Sequence, residues 1–116
     1  GHLSYAGDPN WFTTAPVYGI QKLLEKVGKK ASDIDFYEIN EAFSVVPMMA
    51  MRELKLSAEQ VNPLGGAVAL GHPIGASGAR VLTTLVHQLR RSGGKLGITS
   101  LCIGGGESSS LMIEMV

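Results

Sequence analysis

The amphipathic stretch at residues 78–92 limits most strongly what this chain can fold into. Its apolar side chains recur at helical spacing and form one stripe; they are Val81, Leu82, Leu85, Val86 and Leu89. Gly93 and Gly94 follow and end the helix. Two apolar runs, at residues 95–103 and 109–116, come next and are separated by three glycines. This order predicts a helix followed by two strands of one sheet.

The earlier part of the chain adds two helices and two shorter strands. The predicted elements are a helix over residues 16–27, a buried strand within 33–40, a helix over 41–55 and a short strand at 60–62. Thr14 is the expected N-cap of the first helix and Gly28 its C-cap. Pro47 is expected to kink the second helix or to move its start. Residues 3–15 are expected to be irregular, because Gly, Asp, Pro and Asn cluster there.

These elements follow the order α-β-α-β-α-β-β. The order predicts an α/β layered domain with a mixed β-sheet and helices packed on both faces. The length of 116 residues corresponds to one domain. We expect residues 1–7 to be an N-terminal segment that includes a tag remnant, and residues 8–116 to form the domain.

Charge and cysteine content exclude several classes of protein. Ten basic and ten acidic side chains balance, which argues against a nucleic-acid-binding module. Charged residues interrupt every apolar stretch, so no membrane-spanning segment is predicted and no membrane partner is expected. The single cysteine, Cys102, excludes an internal disulfide framework. The spacing of the histidines and this cysteine predicts no metal site.

Asn40, Glu41, Ala42 and Phe43 follow a predicted strand, at the end where α/β sheets gather ligands. Taken alone, Asn40 is better explained as a helix N-cap. Glu41 is likewise better explained as a carboxylate in the first turn of the next helix.

Two further segments place reactive side chains beside glycines. His72 precedes Pro73 in a glycine-rich loop that leads into the long helix. The free backbone N–H groups at the start of a helix bind anions and polarise carbonyl groups. Cys102 ends an apolar strand just before Gly104. Cys102 is either an inert buried thiol or a reactive thiol with glycine N–H groups beside it. In the second case, an imidazole would lower the pKa of the thiol.

Together, the three segments resemble the C-terminal domain of thiolases, the acetyl-CoA acetyltransferase family. The matching blocks are EINEAF at 38–43, NPLGGAVALGHPIGASGAR at 62–80 and CIGGG at 102–106, in the family's order. The resemblance implies a thiolase-like fold over nearly the whole chain. Each block alone is a weak signal, whereas the three in this order are specific.

The resemblance also implies roles for individual residues. His72 is similar to the histidine that activates a nucleophilic cysteine, and Cys102 to the second cysteine, an acid/base. Asn40 is similar to the residue that holds a water and forms an oxyanion hole with His72, and the N–H of Gly104 to part of a second oxyanion hole. The substrate-binding positions near the pantetheine of coenzyme A are matched by Ala42 and Phe43.

The implied function is that of the C-terminal catalytic half of an acetyl-CoA acetyltransferase. This enzyme joins two acetyl-CoA molecules into acetoacetyl-CoA or cleaves 3-ketoacyl-CoA in reverse. No cofactor is expected, because the coenzyme A thioester is the substrate. The nucleophilic cysteine would belong to a thiolase N-terminal domain, so these residues alone should be inactive. The family implies a homodimer or homotetramer, a role in fatty acid metabolism and a cytoplasmic location, or a mitochondrial or peroxisomal one in a eukaryote. The alternative is a stand-alone domain that binds acyl-CoA or a protein without catalysis.

Overall fold

The computed structural model describes residues 1–116 and contains four strands and four α-helices. The strands are β1 (His2–Ala6), β2 (Phe36–Ile39), β3 (Leu96–Ile103) and β4 (Glu107–Glu114). The α-helices are α1 (Ala15–Val27), α2 (Val45–Leu54), α3 (Ala67–Leu70) and α4 (Ser77–Ser92). Two short 3-10 helices, Pro9–Thr14 and Ala31–Asp33, precede α1 and β2. None of the helices has the length and hydropathy needed to cross a membrane.

The four strands form one mixed sheet in the order β1-β4-β3-β2. β2 runs parallel to β3, whereas β3, β4 and β1 are joined by antiparallel pairing. α1 covers one face, α2 packs on α1 and contributes to the same core, and α4 covers the other face along β2 and β3. The predicted α/β class, with a mixed sheet and helices on both faces, is therefore confirmed.

The main hydrophobic core lies between the sheet and the helices α1 and α2. Its buried members are Val17, Ile20, Leu24, Ile34, Tyr37, Ile39, Val46, Ala50, Val61 and Ile98. On the opposite face, α4 lies so close to β3 that a Cβ at Gly97 would be 2.7 Å from a methyl carbon of Leu85. A glycine in β3 thus sets the distance between this helix and the sheet.

The expectation that residues 3–15 are irregular is wrong at both ends of that segment. Residues 2–6 form the edge strand β1, in which Leu3 pairs with Ser110 and Tyr5 with Ser108 of β4. Residues 9–14 form the first 3-10 helix. β1 escaped prediction because its partner strand is more than a hundred residues away in the sequence, so no local pattern marks the pairing.

The second helix starts later than predicted. α2 begins at Val45, not at residue 41, and Pro47 lies in its first turn, where a missing N–H costs no helical hydrogen bond. The proline has therefore moved the start of the helix rather than kinked it. The predicted short strand at 60–62 is reduced to a single parallel bridge between Val61 and Tyr37.

The caps of α1 agree with the sequence in part. Gly28 ends the helix in the left-handed conformation, with φ of 67°, as expected of a glycine C-cap. Thr14 occupies the N-cap position, but its side chain makes no capping hydrogen bond. Its hydroxyl donates instead to the Trp11 carbonyl in the preceding 3-10 helix, at 2.7 Å.

Candidate active site

The candidate site lies at the carboxyl ends of β2 and β3, where parallel strands of α/β sheets present ligand-binding groups. Asn40 follows β2 directly, and its backbone N–H donates to the Ser100 carbonyl of β3 at 2.9 Å. His72 lies in the loop before α4. Cys102 is near the end of β3, and Gly104 follows in the turn to β4.

An open cleft of about 500 Å³ joins the loop before α4 to the β3–β4 hairpin. Its lining residues are His72, Ile74, Ser77, Gly78, Leu101, Cys102, Ile103, Gly104 and Ser109. Three of the residues singled out in the sequence, His72, Cys102 and Gly104, thus share one cleft although they come from two separate segments. Their chemical roles remain predictions.

The ring of His72 is held on its Nδ1 side. Nδ1 lies 2.6 Å from Ser77 Oγ, and this hydroxyl donates to the Pro73 carbonyl at 3.1 Å. A hydroxyl carries one proton, so with that proton directed to Pro73 the oxygen accepts a hydrogen bond from Nδ1–H. The Nε2 atom then keeps its lone pair. This arrangement leaves His72 with one nitrogen ready to accept a proton.

Asn40 is fully buried and does not cap a helix, because α2 begins only at Val45. Its side-chain Nδ2 lies 3.4 Å from Nδ1 of His72, and its Oδ1 accepts from Arg80 at 3.3 Å. The N-cap interpretation of Asn40 is therefore wrong. The residue contacts the histidine of the cleft instead.

Glu41 has a structural role that differs from the one expected. It precedes α2 by four residues, so it is not in the first turn of that helix. Its carboxylate accepts from Val68 N of α3 at 2.9 Å and from Asn62 Nδ2 at 3.1 Å. The carboxylate also fills the space in which a Cβ at Gly66 would stand. Through these hydrogen bonds, Glu41 connects the loop after β2 to the glycine-rich segment.

Glu38 and Arg80 were not singled out in the sequence, although both lie within the matching blocks. The Glu38 side chain is completely buried, and its Oε2 is 3.5 Å from Nη1 of Arg80. Burial raises the pKa of Glu38 to about 7, opposed by the positive charge of Arg80 and reinforced by the negative charge of Glu41. The only sequence signal for this pair was a carboxylate inside an apolar strand, because burying a carboxylate costs much free energy unless a partner of opposite charge lies beside it.

Cys102 is half-buried and has no disulfide partner. Burial raises the pKa of its thiol above the ordinary value, and a backbone hydrogen bond lowers it by less. The thiol pKa is therefore shifted upward, opposite to the lowering by imidazole considered from the sequence. Within these residues the structure favours a protonated thiol at neutral pH.

Ala42 and Phe43 lie in the loop between Asn40 and α2, outside the lining of the His72 cleft. Phe43 is 56% exposed and packs edge-to-face on Phe12, with ring centroids 5.9 Å apart. The exposed ring leaves an apolar surface next to the loop that carries Asn40. The structure does not bring these two residues into contact with Cys102.

A second cleft of about 570 Å³ lies on the side of α1 and α2. Its walls include Tyr5, Trp11, Tyr18 and Glu53 but no histidine or cysteine. It is larger than the cleft at His72 and is lined by the carboxylates of Asp8 and Glu53, but it has no imidazole, no thiol and no glycine turn at a strand end. We therefore place the candidate active site at the smaller cleft, on its chemistry.

The chain is similar over its full length to enzymes of acyl transfer. It is 48% identical over 116 residues to acetyl-CoA acetyltransferase 1 from Arabidopsis thaliana, covering 100% of this chain and 28% of that protein. It is 51% identical over 114 residues to a probable acetyl-CoA acyltransferase from Staphylococcus aureus, covering 98% of this chain and 29% of that protein. The chain therefore spans less than a third of the length of these relatives.

Solved structures agree with the sequence relatives. The acetyl-CoA acetyltransferase of Bacillus anthracis matches with a TM-score of 0.96 and 44% identity, covering 100% of this chain and 29% of that one. The Acat5 thiolase of Ascaris suum in complex with coenzyme A matches with a TM-score of 0.94 and 43% identity, covering 100% and 30%. The family model of the thiolase C-terminal domain matches residues 1–115. With that match, the resemblance seen in the three motifs is confirmed, and the chain belongs to the family of thiolase C-terminal domains.

Proposed function

We infer that this chain is the C-terminal catalytic part of an acetyl-CoA acetyltransferase. The observation that carries the inference is the shared cleft of His72, Cys102 and Gly104. A base, a thiol and a glycine turn at one strand end are the groups that acyl transfer between thioesters requires. The similarity to acetyl-CoA acetyltransferases supports the same function.

The proposed reaction assigns one task to each group. The Nε2 lone pair of His72 accepts the proton of a nucleophilic cysteine, which then takes the acyl group from acetyl-CoA. Since the 116 residues contain one cysteine, and Cys102 is assigned as the acid/base, the nucleophile comes from outside this chain. Coenzyme A leaves the first acetyl-CoA as a thiolate and takes the proton of Cys102. The Cys102 thiolate then takes a proton from the methyl group of a second acetyl-CoA.

The resulting carbanion attacks the carbonyl carbon of the acyl-cysteine, and the cysteine thiolate leaves. Negative charge collects on thioester oxygens in both half-reactions, and a donor must face each oxygen. His72, together with a water held by Asn40, supplies one set of donors, and the N–H of Gly104 belongs to the other. The same groups acting in reverse cleave 3-ketoacyl-CoA. The raised pKa of the isolated Cys102 thiol indicates that the rest of the enzyme must help to ionise it.

The proposed substrates are coenzyme A thioesters, and no further cofactor is required. Two of the matching solved structures contain coenzyme A: the Ascaris thiolase and a human mitochondrial 3-ketoacyl-CoA thiolase. In this chain the exposed ring of Phe43, with Ala42 beside it, offers an apolar surface for the pantetheine arm. We further propose that the complete enzyme is a homodimer or homotetramer that acts in fatty acid metabolism in the cytoplasm.

The function is tested by replacing the corresponding segment of the Staphylococcus aureus relative with residues 1–116. We expect the chimera to release coenzyme A from acetyl-CoA and form acetoacetyl-CoA. In that chimera His72→Ala and Cys102→Ser should each lower kcat by at least about 100-fold, the scale of a lost general acid or base. The chain by itself should show no turnover.

His87→Ala is the matched control, because His87 is exposed on α4 and outside the cleft. It should leave kcat within about twofold, as expected of a surface substitution. A folded chimera that binds coenzyme A but forms no acetoacetyl-CoA would refute the enzyme assignment and favour a binding domain.

A further inference from the structure

We propose that Arg80, held by the buried side chain of Glu38, is a positioning residue that fixes the amide of Asn40 with its NH2 group toward His72. The inference rests on the proposed function, because it deepens the role of Asn40 as a donor in that site. It concerns Glu38 and Arg80, which do not line the cleft and do not contact the substrate.

The first step concerns the two ends of the Asn40 amide. One end carries an acceptor and the other two donors, and the two orientations have nearly the same shape. Only the orientation with NH2 toward the cleft places a donor beside His72. Packing of the buried side chain alone does not separate the two orientations, so a polar neighbour must do so.

Arg80 is that neighbour. Its Nη2 lies 3.3 Å from Oδ1 of Asn40. A guanidinium donates hydrogen bonds but cannot accept them, so an NH2 group in the place of Oδ1 would face N–H groups. The flipped amide would place its oxygen next to the neutral Nδ1–H of His72, but the charged guanidinium is the stronger donor. The oxygen therefore points to Arg80, and Nδ2 faces Nδ1 of His72 at 3.4 Å.

Glu38 determines where the guanidinium lies. The side chain of Arg80 is 18% exposed and that of Glu38 is 0% exposed, and 3.5 Å separates Nη1 from Oε2. Neither carboxylate oxygen of Glu38 has a hydrogen-bond partner, and neither do Nε and Nη1 of Arg80. The contact between Glu38 and Arg80 is therefore a charge attraction without a hydrogen bond, and it draws the guanidinium to the place where its Nη2 reaches Oδ1 of Asn40.

The orientation of the Asn40 amide changes the surroundings of His72 without a hydrogen bond between the two side chains. Nδ1 of His72 carries the proton that it donates to Ser77 at 2.6 Å, so the NH2 group of Asn40, 3.4 Å away, makes no hydrogen bond to it. The NH2 group of Asn40 is thus not consumed by the ring. Asn40 is fully buried and outside the cleft lining, so its NH2 group reaches a ligand only through a water next to the imidazole.

The experiment is nuclear magnetic resonance on the chain of residues 1–116 with labelled Asn and His side chains. The wild-type chain should show a nuclear Overhauser effect between the Asn40 amide protons and Hε1 of His72. Arg80→Met should abolish it. The double variant, in which Glu38→Gln accompanies Arg80→Met, removes both charges together and leaves no unpaired buried charge. It should abolish the effect as well, while the backbone signals of the sheet are retained.

Arg90→Met is the control, because Arg90 is exposed near the end of the same helix. It should leave the Overhauser effect unchanged. The proposal is overturned if the wild-type chain lacks the effect, or if either Arg80 variant keeps it. The Overhauser effect in the wild-type chain tests the proposal even if a variant folds poorly.

Kinetics in the chimera separate this inference from the proposed function. If both hold, the double variant lowers kcat by about 10- to 100-fold, the cost of a misplaced group, with KM changed by less than about twofold. An inactive wild-type chimera would refute the proposed function, while the Overhauser effect would still test the position of the amide. An active wild-type chimera whose double variant keeps full kcat would refute the positioning role alone.

Discussion

At the scale of single residues, Glu38 is a carboxyl group whose burial is only partly compensated by the positive charge of Arg80. Its side chain is fully buried in β2, where desolvation outweighs the attraction of Arg80 and raises the pKa to about 7. The folded state therefore binds a proton more tightly than the unfolded state does. Between the ordinary pKa of 4.5 and about 7, the folded protein holds more protons, so its stability falls as the pH rises through this window.

We predict that Glu38→Gln removes this part of the pH dependence. From pH 4.5 to 8 the free energy of unfolding attributable to Glu38 should fall by at most about 3 kcal/mol in the wild-type chain. Urea unfolding of both proteins across this range measures the difference. The prediction fails if both proteins lose the same stability between these pH values, since another group would then be responsible.

The thiol of Cys102 gives a second prediction at this scale. Because burial raises its pKa, little thiolate is present at pH 7.5, and alkylation by iodoacetamide should be slower in the folded chain than in urea. The rate in the folded chain should still be rising at pH 9. A rate that reaches its plateau below pH 8 would mean that a neighbour lowers the pKa of the thiol.

At the scale of elements, the three-glycine turn between β3 and β4 does two things. It closes the hairpin, and it carries Gly104 into the cleft with His72. Gly106 has φ of 85°, and its carbonyl accepts from Gly7 N at 2.9 Å, where the chain leaves β1. Left-handed backbone at the last position of a three-residue loop is typical of such hairpins.

We predict that Gly106→Ala destabilises the chain by about 2–4 kcal/mol, because a side chain there combines left-handed strain with a clash. The new Cβ would lie 2.6 Å from the Gly7 carbonyl oxygen. Gly105→Ala is the control in the same turn, since its Cβ would meet nothing closer than 3.7 Å. It should change stability by less than about 0.5 kcal/mol in urea unfolding. Equal losses in the two variants would contradict this account of the turn.

At the scale of the whole molecule, apolar side chains are exposed around the candidate site. Val68 is 70% exposed, Leu70 60% and Ile74 88%, all in the segment that carries His72. Ile103, 45% exposed, lies across the same cleft. Ile74 and Ile103 line one cleft, and exposed apolar side chains grouped in this way are typical of a region that another surface covers. Under the proposed function, the part of the enzyme outside these residues covers it, and the chain spans 28–30% of its matched relatives.

We therefore predict that the chain of residues 1–116 self-associates through this region. Its sedimentation coefficient should rise with concentration, and the combined variant Val68→Ser, Ile74→Ser should weaken the rise. Trp11→Ser is the matched control, because Trp11 is 67% exposed but lines the cleft on the side of α1 and α2. A wild-type chain that stays monomeric at all concentrations, or a stronger effect of Trp11→Ser, would contradict the prediction.

Local patterns were enough for the elements whose signals lie within a few residues. The stripe ending at Gly93 predicted α4, Gly28 ended α1, and the two apolar runs predicted β3 and β4, because periodicity and backbone conformation act over one or two turns. The predicted start of α2 was wrong, because Pro47 can occupy any of several positions in the first turn of a helix and so does not define where that turn begins. β1 was missed because an edge strand depends on its distant partner.

Patterns along the chain were sufficient to predict the α/β class, the order of most elements and, through three motifs, the family. Which polar groups contact one another became visible in the folded chain. Asn40 turned out to contact His72 and Arg80 rather than cap a helix, and Glu41 to fasten the segment around α3. The physical reason is range: secondary structure follows from neighbours along the chain, whereas hydrogen bonds and ion pairs between side chains depend on distances that only packing sets.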